Sequence, residues 1–154
     1  MKVRSLMTKD VLTVRTDTPV SDVARLMSDH GVSGVPVLDA DDRIVGVITE
    51  RDLIVRNGRL EMPVFLQILD AYVPLELPGH LKQRLQHMLG TNAEDVMTRD
   101  VRTIEPDAEV EDLVELMVKH HANPVPVLED GRIVGIISRS DLVRMMVTDH
   151  NPSE

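Results

Sequence analysis

The chain has 154 residues, 42% of them hydrophobic and 28% charged, and a formal net charge of −9. This acidic balance disfavours binding to free DNA or RNA, which requires a basic face for the phosphates. Because there is no Cys, disulfides and thiolate metal sites are excluded. No apolar run approaches the ~18 residues of a membrane span, and no signal peptide is recognisable after Met1, so we expect a cytoplasmic protein without a membrane partner.

The first third of the chain is repeated near its end. The repeat begins with Met7-Thr8 and again with Met97-Thr98, and it continues with one single-residue gap. The matching segments are residues 6–14 with 96–104, 35–38 with 125–128, and 43–49 with 132–138. The spacing is too long for a stacked solenoid unit, so the pattern indicates a duplicated domain.

Each copy predicts the same elements in the same order. A short extended segment (11–14 and 101–104) precedes a helix, for which Thr18 followed by Pro19 is a suitable start and Asp107 is the expected cap in the second copy. The apolar positions of the two helices recur at helical spacing: Val20, Val23, Ala24 and Met27, then Val110, Leu113, Val114 and Met117.

After this helix come two short strands, residues 35–38 and 44–48 or 125–128 and 133–137, and a second helix that opens at Thr49 or Ser138. The order is β-α-β-β-α, twice, in an α+β fold. Such a unit is small, and we expect the two copies to pack on each other.

The sequence divides into residues 1–58, a central insert 59–93, and residues 94–150. Pro63, Pro74 and Pro78 interrupt the insert, and residues 80–89 form an amphipathic pattern. The insert also holds both aromatic residues, Phe65 and Tyr72. A connector helix over the edge of the core is one interpretation; a dimer contact or a lid over a ligand cleft is the other.

The strongest local signal lies between the last strand and the last helix of each copy. It reads Gly, two aliphatic residues, Thr or Ser, two variable positions and Asp, from Gly46 to Asp52 and from Gly135 to Asp141. Thr-x-x-Asp at such a place resembles a helix capping box, and in that interpretation nothing binds.

Three features of this signal favour a ligand. A glycine inside a strand often marks close approach by another group. Arg51 and Arg139 lie in the first helical turn, where a cation opposes the helix dipole unless an anion such as phosphate sits beside it. The whole arrangement also occurs twice. Pro36 and Pro126 predict edge or interrupted strands, which leave room for a flat apolar group or block aggregation.

These residues together resemble the CBS domain family, named after cystathionine β-synthase. The matching pieces are the Met-Thr openings, the Val-Pro-Val strands and the two Gly-x-x-Thr/Ser-x-x-Asp segments. The resemblance implies two modules that pack through their sheets with pseudo-twofold symmetry and bind adenosine derivatives in the clefts between them. The ligand would be AMP, ADP or ATP, with S-adenosylmethionine or NAD as further possibilities.

The resemblance also implies roles for individual residues. Asp52 and Asp141 would bind ribose hydroxyls, and Thr49 and Ser138 would face the phosphate. The base would be held by Thr13, Val14, Thr103 and Ile104 together with the strand residues Val35, Pro36, Val37, Val125, Pro126 and Val127. The sequence lacks the Arg or His that many nucleotide-binding members carry before the strand Pro, so Arg51, Arg139, Lys9 or Arg99 would meet the phosphate charge, and we expect unequal affinity in the two clefts.

We therefore expect a regulatory adenine-nucleotide sensor that forms a homodimer and signals to an unknown protein effector. We expect no catalytic cofactor and no metal. None of the six His residues lies in a metal or nucleophile pattern, and His120-His121 is interpreted as a helix end, so we expect no enzyme activity. The alternative is a ligand-free dimerisation or protein-interaction scaffold.

Overall fold

The computed structural model describes residues 1–57 and 91–148. The first copy contains a 3-10 helix (Val3–Ser5), β1 (Val14–Arg15), α1 (Val20–His30), β2 (Gly34–Leu38), β3 (Ile44–Thr49) and α2 (Glu50–Asn57). The second contains α3 (Ala93–Val96), α4 (Val110–Lys119), β4 (Val125–Glu129), β5 (Arg132–Ile137) and α5 (Arg139–Thr148). The predicted α+β fold with two similar units is confirmed, although the opening strand of the second unit is reduced to a single parallel bridge between Ile104 and Val127.

The sheets are small and are built around the two proline-containing strands. In the first unit the strand order is β1-β2-β3, with β2 parallel to β1 and antiparallel to β3; in the second, β4 and β5 are antiparallel. Of the two predicted alternatives, the edge position is wrong for β2, which is central, whereas the pairing is interrupted by a register shift soon after each proline, at Val37/Leu38 and Val127/Leu128. The second unit shows how the sheet tolerates proline: the Pro126 carbonyl accepts from the Ile104 N–H (3.1 Å), and Leu128 N–H donates to Ile104 (2.9 Å), so no proline N–H is needed.

The buried face of α1 is the predicted one, and Val20, Val23, Ala24 and Met27 all lie in the core. The predicted N-cap is wrong, because Pro19 holds the cap position and the Thr18 hydroxyl instead accepts from the Arg15 N–H (2.9 Å).

In α4 the predicted N-cap Asp107 is wrong, because the cap position is held by Glu109, whose N–H donates to Asp112 (3.3 Å). Asp107 lies in the turn before the helix and forms an ion pair with Arg4. The predicted inward position of Val114 is also wrong, since this side chain is 41% exposed. The helix begins after Asp107, at Val110, and it turns Leu113 and Met117 inward.

The two units exchange their opening segments. Ala93, Val96 and Met97 pack into the core of the first unit, whereas Val3 packs into the core of the second, with Met7 partly buried against it. The backbone fixes this exchange at the first unit, because Thr98 and Val47 bond reciprocally at 2.9 and 3.0 Å. Neither core is therefore complete without residues that precede the other unit in the chain.

Several expectations fall on residues outside the described ranges. They concern the central insert, with its amphipathic segment 80–89 and both aromatic residues. Among the helices of residues 1–57 and 91–148, none combines the length and the apolar character that crossing a bilayer would take.

Candidate functional site

The junction of β3 and α2 is closed by a reciprocal set of hydrogen bonds. Thr49 donates its N–H (2.9 Å) and its hydroxyl (3.2 Å) to Asp52 Oδ2, and the Asp52 N–H donates to the Thr49 hydroxyl (3.3 Å). These bonds satisfy amides at the helix start that have no partner within the helix. The capping box considered in the sequence is thus present.

The junction of β5 and α5 has the same two bonds to the carboxylate but not the bond from the Asp N–H to the hydroxyl, because the Asp141 N–H donates to the Ser138 carbonyl (3.1 Å). Ser138 donates its N–H (2.7 Å) and its hydroxyl (2.9 Å) to Asp141 Oδ2. The two carboxylates differ in the partner of the second oxygen. Asp52 Oδ1 accepts from the Thr98 hydroxyl (2.8 Å), whereas Asp141 Oδ1 pairs with Arg144 (3.3 Å). A ligand that binds either oxygen competes with that partner.

The larger of two clefts beside these junctions has a volume of about 690 Å³ and lies between the units. The first unit contributes Ser33 and Val47 together with Thr49, Glu50, Arg51 and Asp52, and the opening of the second contributes Thr98, Asp100 and Arg102. The rest of the wall comes from the second unit: His120, His121, Ala122, Asn123, Pro124 and Arg139.

The smaller cleft, of about 310 Å³, adjoins the second junction. Its residues are Thr8, Asp10, Leu12, Gly31, Val32, Ser33, Gly34, Pro124, Ile136, Ser138, Ser140, Asp141 and Arg144. Ser33 and Pro124 line both clefts. Both volumes lie in the range of pockets that hold small molecules, roughly 300–1,000 Å³.

Six of the sixteen predicted site residues line these clefts. Thr49, Arg51, Asp52 and Arg139 meet in the larger one, and Ser138 and Asp141 in the smaller one. The other ten line neither: Thr13, Val14, Val35, Pro36, Val37, Thr103, Ile104, Val125, Pro126 and Val127. The two Val-Pro-Val segments are fully buried in the cores, so a ligand would reach them only if the clefts opened. Their contact with a base stays a prediction.

The two strand glycines are explained by packing and not by a ligand. A Cβ on Gly46 would overlap the Met97 side chain, and one on Gly135 would overlap Met7. Each methionine belongs to the opening segment of the opposite unit. The inference from glycine to close approach was correct, but the approaching group is a methionine.

The basic residues predicted to meet a phosphate are not divided equally between the two clefts, as two equivalent sites would require. Arg51 and Arg139 line the same cleft, while Lys9 and Arg99 line neither. Sequence reasoning also missed the larger cleft's Thr98, Asp100, Arg102, His120, His121 and Asn123. The sequence contained a partial signal for Thr98, which follows the repeated Met. The prediction that His120 ends a helix is confirmed for α4, and this residue also borders the larger cleft. In residues 1–57 and 91–148, no three His, Asp or Glu residues are grouped so that they could hold a metal ion.

Comparison with known proteins agrees with this architecture. The CBS domain family model matches residues 3–57 and 93–148. An uncharacterised protein of Methanocaldococcus jannaschii is 33% identical, over 96% of this chain and 92% of its own length. Two solved structures share the fold: CBSX2 in complex with AMP (23% identity, TM-score 0.71, 96% of this chain and 97% of that one), and a CBS domain pair in complex with 5′-methylthioadenosine and S-adenosyl-L-methionine (22%, 0.72, 97% and 98%).

Proposed function

The chain belongs to the CBS domain family, and from that premise we propose that it is a regulatory module that binds an adenosine compound in the clefts between its two units. The candidate ligands are AMP, ADP, ATP and S-adenosylmethionine, with NAD as a further candidate. Support comes from two proteins of the same fold, one in complex with AMP and one with 5′-methylthioadenosine and S-adenosyl-L-methionine. We propose no catalysis by this chain.

The observation that carries the proposal is the pair of junctions at the clefts. Each presents a carboxylate, a hydroxyl and a helix N-terminus on the wall of a cavity between two units. A carboxylate can accept hydrogen bonds from both hydroxyls of a ribose, and a helix N-terminus favours an adjacent phosphate. Asp52 and Asp141 would bind the sugar, with Thr49 and Ser138 nearer the phosphate.

The larger cleft suggests how occupancy would be read by a partner protein. The Asp52 oxygen that takes no part in the capping bonds accepts from the Thr98 hydroxyl, and Thr98 is fixed to β3 by its two backbone bonds with Val47. A ribose that took this oxygen would release one tie between the units. Ligand binding would then favour a different arrangement of the units, to the extent that the two arrangements differ in affinity.

The direct test is thermal unfolding of the chain with AMP, ADP, ATP, S-adenosylmethionine or NAD. A ligand at a hundred times its Kd adds about 2.7 kcal/mol to the free energy of unfolding, which produces an easily measured rise in Tm. If none of the five compounds raises the Tm at millimolar concentration, the sensor proposal is wrong.

A paired substitution separates ligand binding from helix capping. Asp52→Ala would remove both, so Asp52→Asn is preferable, because its remaining oxygen can still cap the helix. The matched control is Asp95→Asn, since Asp95 accepts from the Asn92 N–H (2.9 Å) at the start of α3 and lines neither cleft. We expect Asp52→Asn to weaken ligand binding about tenfold or more, the value of a lost charge-assisted hydrogen bond, and Asp95→Asn to leave binding unchanged.

The second candidate is a protein-interaction scaffold that needs no ligand. It is favoured by the exposed apolar side chains of α5, where Val143, Met146 and Val147 are 60–68% exposed. A homodimer or an effector protein could use this surface. A concentration-dependent dimer whose assembly and Tm ignore every adenosine compound would favour this candidate over the sensor.

A further inference from the structure

The two clefts are built from equivalent positions of the repeat but differ in charge. Each cation in the larger cleft can be compared with its counterpart in the other unit. Arg51 corresponds to Ser140 and Arg102 corresponds to Leu12. These two neutral counterparts line the smaller cleft. His121 corresponds to Gly31, which also lines the smaller cleft. The larger cleft therefore has cationic or imidazole side chains where the smaller one has neutral residues.

Arg139 increases this difference. Arg139 is the first residue of α5, and the junction of β5 and α5 borders the smaller cleft. Nevertheless, Arg139 itself lines the larger cleft. Its N–H donates to Asn123 Oδ1 (3.0 Å), and Asn123 is part of the same wall. The corresponding residue of α2 is Glu50, an anion. The guanidinium groups of Arg51 and Arg139 thus border one cavity from two different helix N-termini.

The availability of these charges matters more than their number. With His neutral, the larger cleft has three cations and three carboxylates, and the smaller one has Arg144 with Asp10 and Asp141. Arg144 is already paired with Asp141, and Arg102 lies 3.7 Å from Asp100. Within the described part of the chain, the side chains of Arg51 and Arg139 make no ion pair or hydrogen bond. Two guanidinium groups are free to bind an anion in the larger cleft.

We propose that the larger cleft is selective for the phosphate chain of a nucleotide, with Arg51 and Arg139 bridged by it, and that the smaller cleft prefers an adenosyl compound with little negative charge. This inference rests on the proposed function and adds the ligand class of each cleft. Guanidinium groups suit phosphate because they donate two parallel hydrogen bonds to it. The smaller cleft has one more carboxylate than it has cations, and its one cation is already paired, so its wall repels a phosphate chain and tolerates a neutral or cationic ligand.

Isothermal titration with adenosine, AMP and ATP, without added divalent cations, tests the inference. The variants are Arg51→Gln and Arg139→Gln, with Arg144→Gln as the matched control in the smaller cleft; unchanged melting temperatures establish that each is folded. We expect one site to bind ATP at least tenfold more tightly than adenosine. Arg51→Gln and Arg139→Gln should each weaken ATP about tenfold and leave adenosine unaffected, and Arg144→Gln should leave the tight ATP site unchanged.

The other outcomes have distinct meanings. If adenosine binds but added phosphates bring no gain, or if only Arg144→Gln weakens ATP, the assignment of the phosphate to the larger cleft is wrong while the sensor proposal stands. If adenosine, AMP and ATP all fail to bind the folded protein, the proposed function itself is wrong, and so is the assignment of a ligand class to each cleft.

Discussion

Replacement of Gly46 by Ala tests the exchange of opening segments between the units. A Cβ at this position would lie 2.7 Å from Met97 Cγ and 3.0 Å from Met97 Cβ, and it would also overlap the sulfur. Because Met97 Cβ is attached directly to the backbone, a new rotamer of Met97 cannot relieve every contact. The backbone of β3 or of the Met97 segment must shift, and overpacking of this kind costs about 1–3 kcal/mol.

The double substitution gives the decisive measurement. Met97→Ala alone should cost about 2 kcal/mol or more, since Met97 is 9% exposed and packs in the core of the first unit. In the double variant the alanine at position 46 occupies part of the vacated space. The two costs should therefore fall short of additivity by about 1 kcal/mol or more in urea unfolding.

Met117 provides the control, since it is buried in the core of the second unit, apart from Gly46. Gly46→Ala with Met117→Ala should be additive within about 0.5 kcal/mol. If Gly46→Ala leaves the free energy of unfolding unchanged but abolishes nucleotide binding, the overlap with Met97 is not what requires glycine at this position. In that case the glycine would serve a ligand, as its place in the strand first indicated, and not Met97.

Three further predictions follow from single contacts. Leu113→Ala should destabilise the protein by about 2–5 kcal/mol in chemical denaturation, because this side chain is fully buried in the second core. Thr98→Val should raise the affinity for a ribose-containing ligand in calorimetry, because the Thr98 hydroxyl no longer competes for Asp52; an unchanged or lower affinity would contradict that competition. The hydrogen bond from Lys2 lowers the pKa of Glu109 below its ordinary value of 4.5, so its stabilising contribution is present above pH 4.5 and is lost as the pH falls through the lower, folded value. Glu109→Gln should therefore reduce the acid dependence of unfolding below pH 4.5.

The sequence predicted those parts of the fold that depend on local periodicity. The buried face of α1 and the two strand pairs follow from apolar spacing and length, and the structure confirms them. The helix starts were predicted less well. Thr18 and Asp107 are good N-cap residues, but each makes another contact, with the backbone of Arg15 and with Arg4 respectively. A capping preference of about 1 kcal/mol is small enough to be overridden by such alternatives.

The candidate site was predicted where it is local and missed where it is assembled from distant residues. Thr49 with Asp52 and Ser138 with Asp141 each lie within four residues, so their pairing is visible in the sequence. His121 has no such local signal. It borders the larger cleft only because the second unit packs against the first, and a periodicity argument contains no information about that contact.

The comparison of the two units also bears on how the clefts diverged. The positions that cap the helices and would bind a sugar have remained alike, Thr or Ser with Asp, and the capping bonds explain part of this, because losing them costs stability whether or not a ligand is present. The positions that would meet a phosphate make no side-chain capping bond to the helix amides, and there the units differ: Arg51 corresponds to Ser140, whose hydroxyl bonds to that of Ser138 (2.6 Å), and Glu50 corresponds to Arg139. A change at a capping position would impair both folding and binding, whereas a change at positions 50, 51, 139 or 140 leaves the capping bonds of Asp52 and Asp141 available and alters the charge of a cleft. The charge of each cleft could therefore change at little cost to folding, whereas the junction proposed to hold the sugar could not. This physical asymmetry is the reason to expect two ligand classes from one duplicated unit.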